Sequence, residues 1–66
     1  MKIVLNGHER EVDAQTTLAR LLELAGYADR RVAVEVNREI VPRSRYDARG
    51  LVAGDHVEIV HAIGGG

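Results

Sequence analysis

Sixty-six residues with nine Lys/Arg, ten Asp/Glu and three His, and no cysteine, tryptophan or phenylalanine, describe one small domain of formal net charge -1. A domain this size buries only about 60% of the surface its unfolded chain exposes, which leaves little room for an enclosed catalytic cleft and argues against a stand-alone enzyme. The absence of cysteine excludes a disulfide framework, a thiolate zinc site and a persulfide relay on the chain itself, and 45% hydrophobic with 29% charged residues fits a folded soluble protein.

The first thirteen residues predict a hairpin. Met1, Ile3 and Leu5 alternate with Lys2 and Val4 at the period of a strand with one buried face. Asn6-Gly7 follows, and both residue types tolerate positive φ, as a type I′ turn requires. The return strand, His8 to Val12, places Glu9 and Glu11 on one face and is expected to be largely exposed. The period then changes. Leu18, Leu21, Leu22 and Ala25 form the apolar stripe of an amphipathic helix of about ten residues. Thr16 or Thr17 can cap its start, and Gly26 is placed to end it in a left-handed conformation.

Val32, Val34 and Val36 share one face of a second strand region, where β-branched residues at period two favour extended backbone. Asn37-Arg38-Glu39 is expected to turn the chain into a short strand, Ile40-Val41, which Pro42 stops by removing a ladder donor. Ser44 to Arg49 is expected to form a helical turn broken by Gly50, and Leu51 and Val52 to approach the core. After Ala53-Gly54-Asp55, the last strand is expected from His56 to Ala62, with Val57 and Ile59 inward and Glu58 and Val60 outward. This ββαββ order predicts an α+β fold of the β-grasp (ubiquitin-like) class: a mixed sheet of four to five strands with one main helix packed across it. A single domain over residues 1–63 and a flexible glycine tail over 64–66 are the expected organisation.

Basic residues are interspersed with acidic ones. Arg30-Arg31 and the looser group Arg43, Arg45 and Arg49 lack the interleaved aromatics of a stacking platform, since Tyr27 and Tyr46 are the only rings of that kind. They read as solvated or partner-facing, not as a nucleic-acid surface. The N-terminal apolar stretch is too short for a signal-peptide core, and no run approaches the ~20 apolar residues of a membrane span, so a cytoplasmic protein without membrane attachment is expected.

The reactive side chains offer little. His56 and His61 fall on opposite faces of one predicted strand, His8 lies in the first hairpin, and no carboxylate cluster converges with them, so no metal site is expected. The hydroxyls of Thr16, Thr17 and Ser44 have no histidine at a readable spacing, and no nucleophile elbow exists. What remains is Ala62-Ile63-Gly64-Gly65-Gly66. A frayed terminus is the plain reading. The chemical alternative is that a terminal glycine carboxylate, free of a Cβ, enters a narrow channel in a partner enzyme. ATP would activate it as an acyl-adenylate, and a sulfur donor would displace AMP to leave a thiocarboxylate. That scheme needs no cysteine, metal, bound cofactor or cleft on the carrier.

Several blocks together resemble the ThiS family of sulfur carrier proteins of thiamine biosynthesis. They are Asn6-Gly7, Thr17-Leu18-x-x-Leu21-Leu22, Val34-x-Val36-Asn37, Ile40-Val41-Pro42-Arg43, Gly54-Asp55-x-Val57-Glu58-Ile59-Val60 and the terminal Gly-Gly. The resemblance implies a ubiquitin-like carrier that is not itself an enzyme and is expected to be monomeric. Gly66 would be adenylated by an E1-like enzyme of the ThiF type, which consumes ATP, and then converted to the thiocarboxylate with sulfur from a donor protein such as a cysteine desulfurase. Gly64 and Gly65 would thread the tail into that enzyme and into a thiazole synthase of the ThiG type. Val60, Ala62 and Ile63 would form a docking patch, with simple sheet packing as the other reading. Tyr46 stands where members often carry tryptophan. The small subunit of molybdopterin synthase and a ubiquitin-like modifier or tRNA-thiolation carrier share the same carrier logic. An interaction module with an inert tail is the non-carrier alternative.

Overall fold

A computed structural model describes residues 1–61, so Ala62 and the four residues after it lie outside the described residues. Strands β1 (Lys2–Leu5) and β2 (His8–Glu11) pair antiparallel, with Lys2 opposite Glu11 and Leu5 opposite His8. The two residues between them are both left-handed, Asn6 at φ 50° and Gly7 at φ 83°, as the expected type I′ turn demands. Ile3 and Leu5 are buried, whereas β2 exposes most of its surface.

Helix α1 (Leu18–Leu24) carries Leu18, Leu21 and Leu22 into the core. Of the two candidate caps, Thr17 fills the role: its hydroxyl accepts from the Arg20 N–H at 3.2 Å. Thr16 is buried instead, and its carbonyl accepts from the Leu51 N–H. At seven residues the helix is shorter than expected, because Ala25, the fourth member of the stripe, is already the C-cap. Gly26, at φ 85°, donates to the Glu23 carbonyl at 3.2 Å, and Tyr27 donates to the Leu22 carbonyl at 2.7 Å. This paired arrangement is a Schellman motif, which satisfies carbonyls that the helix end would otherwise orphan.

Strand β3 (Val32–Val36) pairs antiparallel with the short β4 (Glu39–Val41) through a turn at Asn37-Arg38. Pro42 then leads into one 3₁₀ turn, Arg43–Arg45, which begins a residue before the expected helical segment and is tighter than an α-turn. Hydrogen-bonded turns carry the chain on to Arg49. Gly50 forms a bridge to Thr17 that ties this crossover to the start of α1. Leu51 is buried as expected, but Val52 is 61% exposed. Its N–H donates to the Asp55 carboxylate at 2.9 Å, so Val52 opens a tight turn and its side chain faces solvent.

Strand β5 (His56–His61) is inserted at the centre, parallel to β1 and antiparallel to β3, which gives the order β2-β1-β5-β3-β4. Val57 and Ile59 point to the helix and join Ile3, Leu18, Leu21, Val34 and Val36 in one core. Full burial of each such aliphatic side chain contributes about 1.5–3 kcal/mol relative to exposure. A five-stranded mixed sheet with one helix across a single face is the β-grasp architecture anticipated from the element order. The opposite face of the sheet carries no covering element among the described residues.

Candidate functional site

The five residues that close the chain follow directly on β5, so the geometry of that strand determines what they can reach. At no more than about 3.3–3.6 Å per residue, a stretch of five residues spans at most roughly 18 Å from His61. Gly64, Gly65 and Gly66, together with Ala62 and Ile63, lie outside the described residues. Of the anticipated docking patch, the structure therefore places Val60 alone.

The base of this segment is firmly held. Ladder pairs from His61 opposite Val32 to Val57 opposite Val36 join β5 to β3 along its length. On the other side, the Asn6 N–H donates to the Val57 carbonyl at 2.9 Å, and its side-chain oxygen accepts from the Ile59 N–H at 2.7 Å. At the start of β5, Asn37 brackets His56. Its N–H donates to the His56 carbonyl at 2.8 Å, and its Oδ1 accepts from the His56 N–H at 2.9 Å. The Asn37 amide also donates to Asp55 at 2.9 Å. Asp55 is only 4% exposed, with the Arg49 guanidinium 3.8 Å away. At the far end, the His61 ring lies 6.0 Å from the Tyr27 ring at a tilted angle, which links the end of β5 to the helix terminus.

Val60 is 58% exposed on the uncovered face of the sheet, opposite Ala33. One row further in, Glu58 stands directly opposite Glu35, and Ile40 of β4 is the neighbour of Glu35. The sequence alone did not single out this glutamate pair. Each glutamate reads as an outward residue of its own strand, and only the register between strands puts them side by side.

The three histidines stay apart in role. His56 shares the outward parity of Glu58 and Val60, His61 lies on the helix side, and His8 begins β2. No group of three His, Asp or Glu side chains converges among the described residues. Tyr46 packs against the core and, with Tyr27, Arg30 and Arg43, borders a solvent-open hollow beside α1. No described helix is long and apolar enough to cross a membrane.

A five-stranded mixed sheet with β5 at its centre and one helix across a single face defines the ubiquitin-like β-grasp class. The model of the ThiS family matches residues 3–66, and the chain belongs to that family, one of small sulfur carriers in thiamine biosynthesis. It is similar over its full length to the crystal structure of the thiamine biosynthesis protein ThiS from Geobacter metallireducens, with 33% identity, a TM-score of 0.86 and 100% of each chain covered. The solution structure of a thiamine biosynthesis protein from the same organism matches with a TM-score of 0.77, covering 88% of that chain. Two curated relatives are named thiazole synthase. That of Paramagnetospirillum magneticum is 50% identical and that of Magnetococcus marinus 48%, both across all 66 residues. The chain spans only 20% of the length of each.

Proposed function

We propose that this chain is a sulfur carrier whose Gly66 carboxylate is adenylated and then converted to a thiocarboxylate that supplies sulfur for thiazole formation. The observation that carries this reading is the family match over residues 3–66, which takes in Gly64, Gly65 and Gly66, joined to the structural match to a ThiS protein. A Gly66 carboxylate oxygen attacks the α-phosphorus of ATP in an E1-like enzyme of the ThiF type, and pyrophosphate leaves. The outer sulfur of a persulfide on a donor such as a cysteine desulfurase, released at the sulfide level by a thiol that is oxidised to a disulfide, adds to the carbonyl carbon. The bond to AMP breaks, and the thiocarboxylate remains on the carrier. The domain contributes no catalytic side chain and binds no cofactor.

The carrier's own part is presentation. Gly64 and Gly65 have no Cβ to obstruct a narrow channel, and β5, held by Asn6 and Asn37, fixes where that segment begins. Val60, with Ala62 and Ile63, belongs to the surface the partner enzymes meet. The thiazole synthase names of the two relatives favour a ThiG-type acceptor over molybdopterin synthase or tRNA thiolation.

The test is an intact mass after incubation with ATP, sulfide and the E1-like enzyme. Replacement of one oxygen by sulfur, mapped by fragmentation to Gly66, is expected. A chain carrying one added residue after Gly66 is expected to remain unmodified while keeping its thermal midpoint. Conversion of the extended chain, or an unchanged mass for the wild type with an enzyme active on its own substrate, would sink the mechanism.

A further inference from the structure

The uncovered sheet face is divided in how it treats its acidic residues. On the β1–β2 side, each glutamate has a cation: Lys2 Nζ lies 4.0 Å from Glu9, and the Met1 ammonium lies 3.1 Å from Glu11. On the β5–β3–β4 side, Glu58 and Glu35 oppose each other in register, and neither has an ion-pair partner among the described residues. Like charges directly opposite one another on a sheet oppose folding. Glu35 is half-buried, which adds desolvation to that repulsion. The pair is flanked by exposed apolar side chains, Val60 at 58% and Ile40 at 72%. An apolar collar around an unneutralised pair of carboxylates is complementary to a protein surface that presents an arginine or lysine within its own apolar patch.

The position of this patch limits what can cover it. Glu58 and Val60 lie on the strand from which the glycine segment continues, so an enzyme that holds Gly66 is at most roughly 18 Å from His61 and has this end of the sheet within reach. The relatives named thiazole synthase carry the counterpart of the whole domain within a chain of which it is one fifth, so in those proteins the domain and the remaining four fifths share one polypeptide. We infer that the Glu35–Glu58 pair, with Val60 and Ile40 beside it, is the surface that seats a basic side chain of a thiazole synthase while Gly66 is in use. This inference rests on the carrier reading and adds to it the face, the residues and the charge of the contact.

The experiment is calorimetric titration of the purified chain with the thiazole synthase of the same organism, at low and at physiological salt. The Glu35→Gln/Glu58→Gln variant is expected to bind at least about tenfold more weakly, because the seated cation loses both acceptors. Its thermal midpoint is expected to stay level or rise as the repulsion disappears. Glu9→Gln/Glu11→Gln, which alters the already neutralised side, is expected to bind within about twofold of the wild type. The inference is overturned if the Glu35/Glu58 variant binds like the wild type, if the Glu9/Glu11 variant weakens equally, or if the wild type shows no binding. Thiocarboxylation of wild-type Gly66, followed by mass, reports on the carrier reading separately. A chain that is thiocarboxylated yet indifferent to the Glu35/Glu58 change loses the inference and keeps the reading.

Discussion

The two hairpin turns do the same geometric job with different resources. Asn6-Gly7 and Asn37-Arg38 both place two consecutive residues at positive φ, at 50° and 83° in the first and 52° and 70° in the second. The first uses glycine where a side chain is penalised. The second puts an arginine there, in a conformation that disfavours L-residues by roughly 1–2 kcal/mol. What offsets that strain lies elsewhere in the chain. Asn37 is fixed by His56 and by Asp55, which is buried and also accepts from the Val52 N–H. Both turns are tied to β5 through their asparagine, but the second, which lacks a glycine, leans as well on a buried carboxylate eighteen positions away.

The sharpest way to break this contrast is Asp55→Ala. It strands the Asn37 amide and the Val52 N–H together, with an expected loss of about 2–4 kcal/mol in urea unfolding. Loss of the β3–β4 amide protection ahead of β1–β2 in hydrogen exchange would show that the damage is local to the second turn. Equal loss in both hairpins would mean that Asp55 supports the domain as a whole. Gly7→Ala is expected to be milder, about 1 kcal/mol, since no heavy atom lies within 4 Å of the added Cβ and only the left-handed backbone resists it. The smallest effect has the opposite sign. Arg38→Gly is expected to stabilise by about 0.5 kcal/mol, the relieved strain exceeding the added entropy of the unfolded chain. A loss of stability there would show that the Arg38 side chain does more than tolerate its place.

The same division between local and distant encoding explains what could be read in advance. The strands, the helix stripe, the Thr17 cap and the Gly26 stop are signalled within a few residues, and the β-grasp order follows from them. Val52 turns outward against its hydrophobicity because Asp55 accepts its N–H, a contact that the local sequence does not announce. The helix stops short of its stripe, and an apolar pattern does not distinguish the last helical residue, Leu24, from the cap, Ala25. The glycine segment lies outside the described residues, and the Glu35–Glu58 pair required the inter-strand register.

The central place of β5 bears on how the molecule is made. Residues 1–11 and 32–41 form two hairpins that share no edge, and the strand that joins them is the last one to leave the ribosome. The sheet therefore cannot close until synthesis has passed His61. Its closing step pairs β5 with β1, more than fifty residues upstream, the kind of distant contact that slows folding. The surface around Glu58 and Val60 comes into being in that same step, so a chain whose β5 has not docked cannot display it to an enzyme.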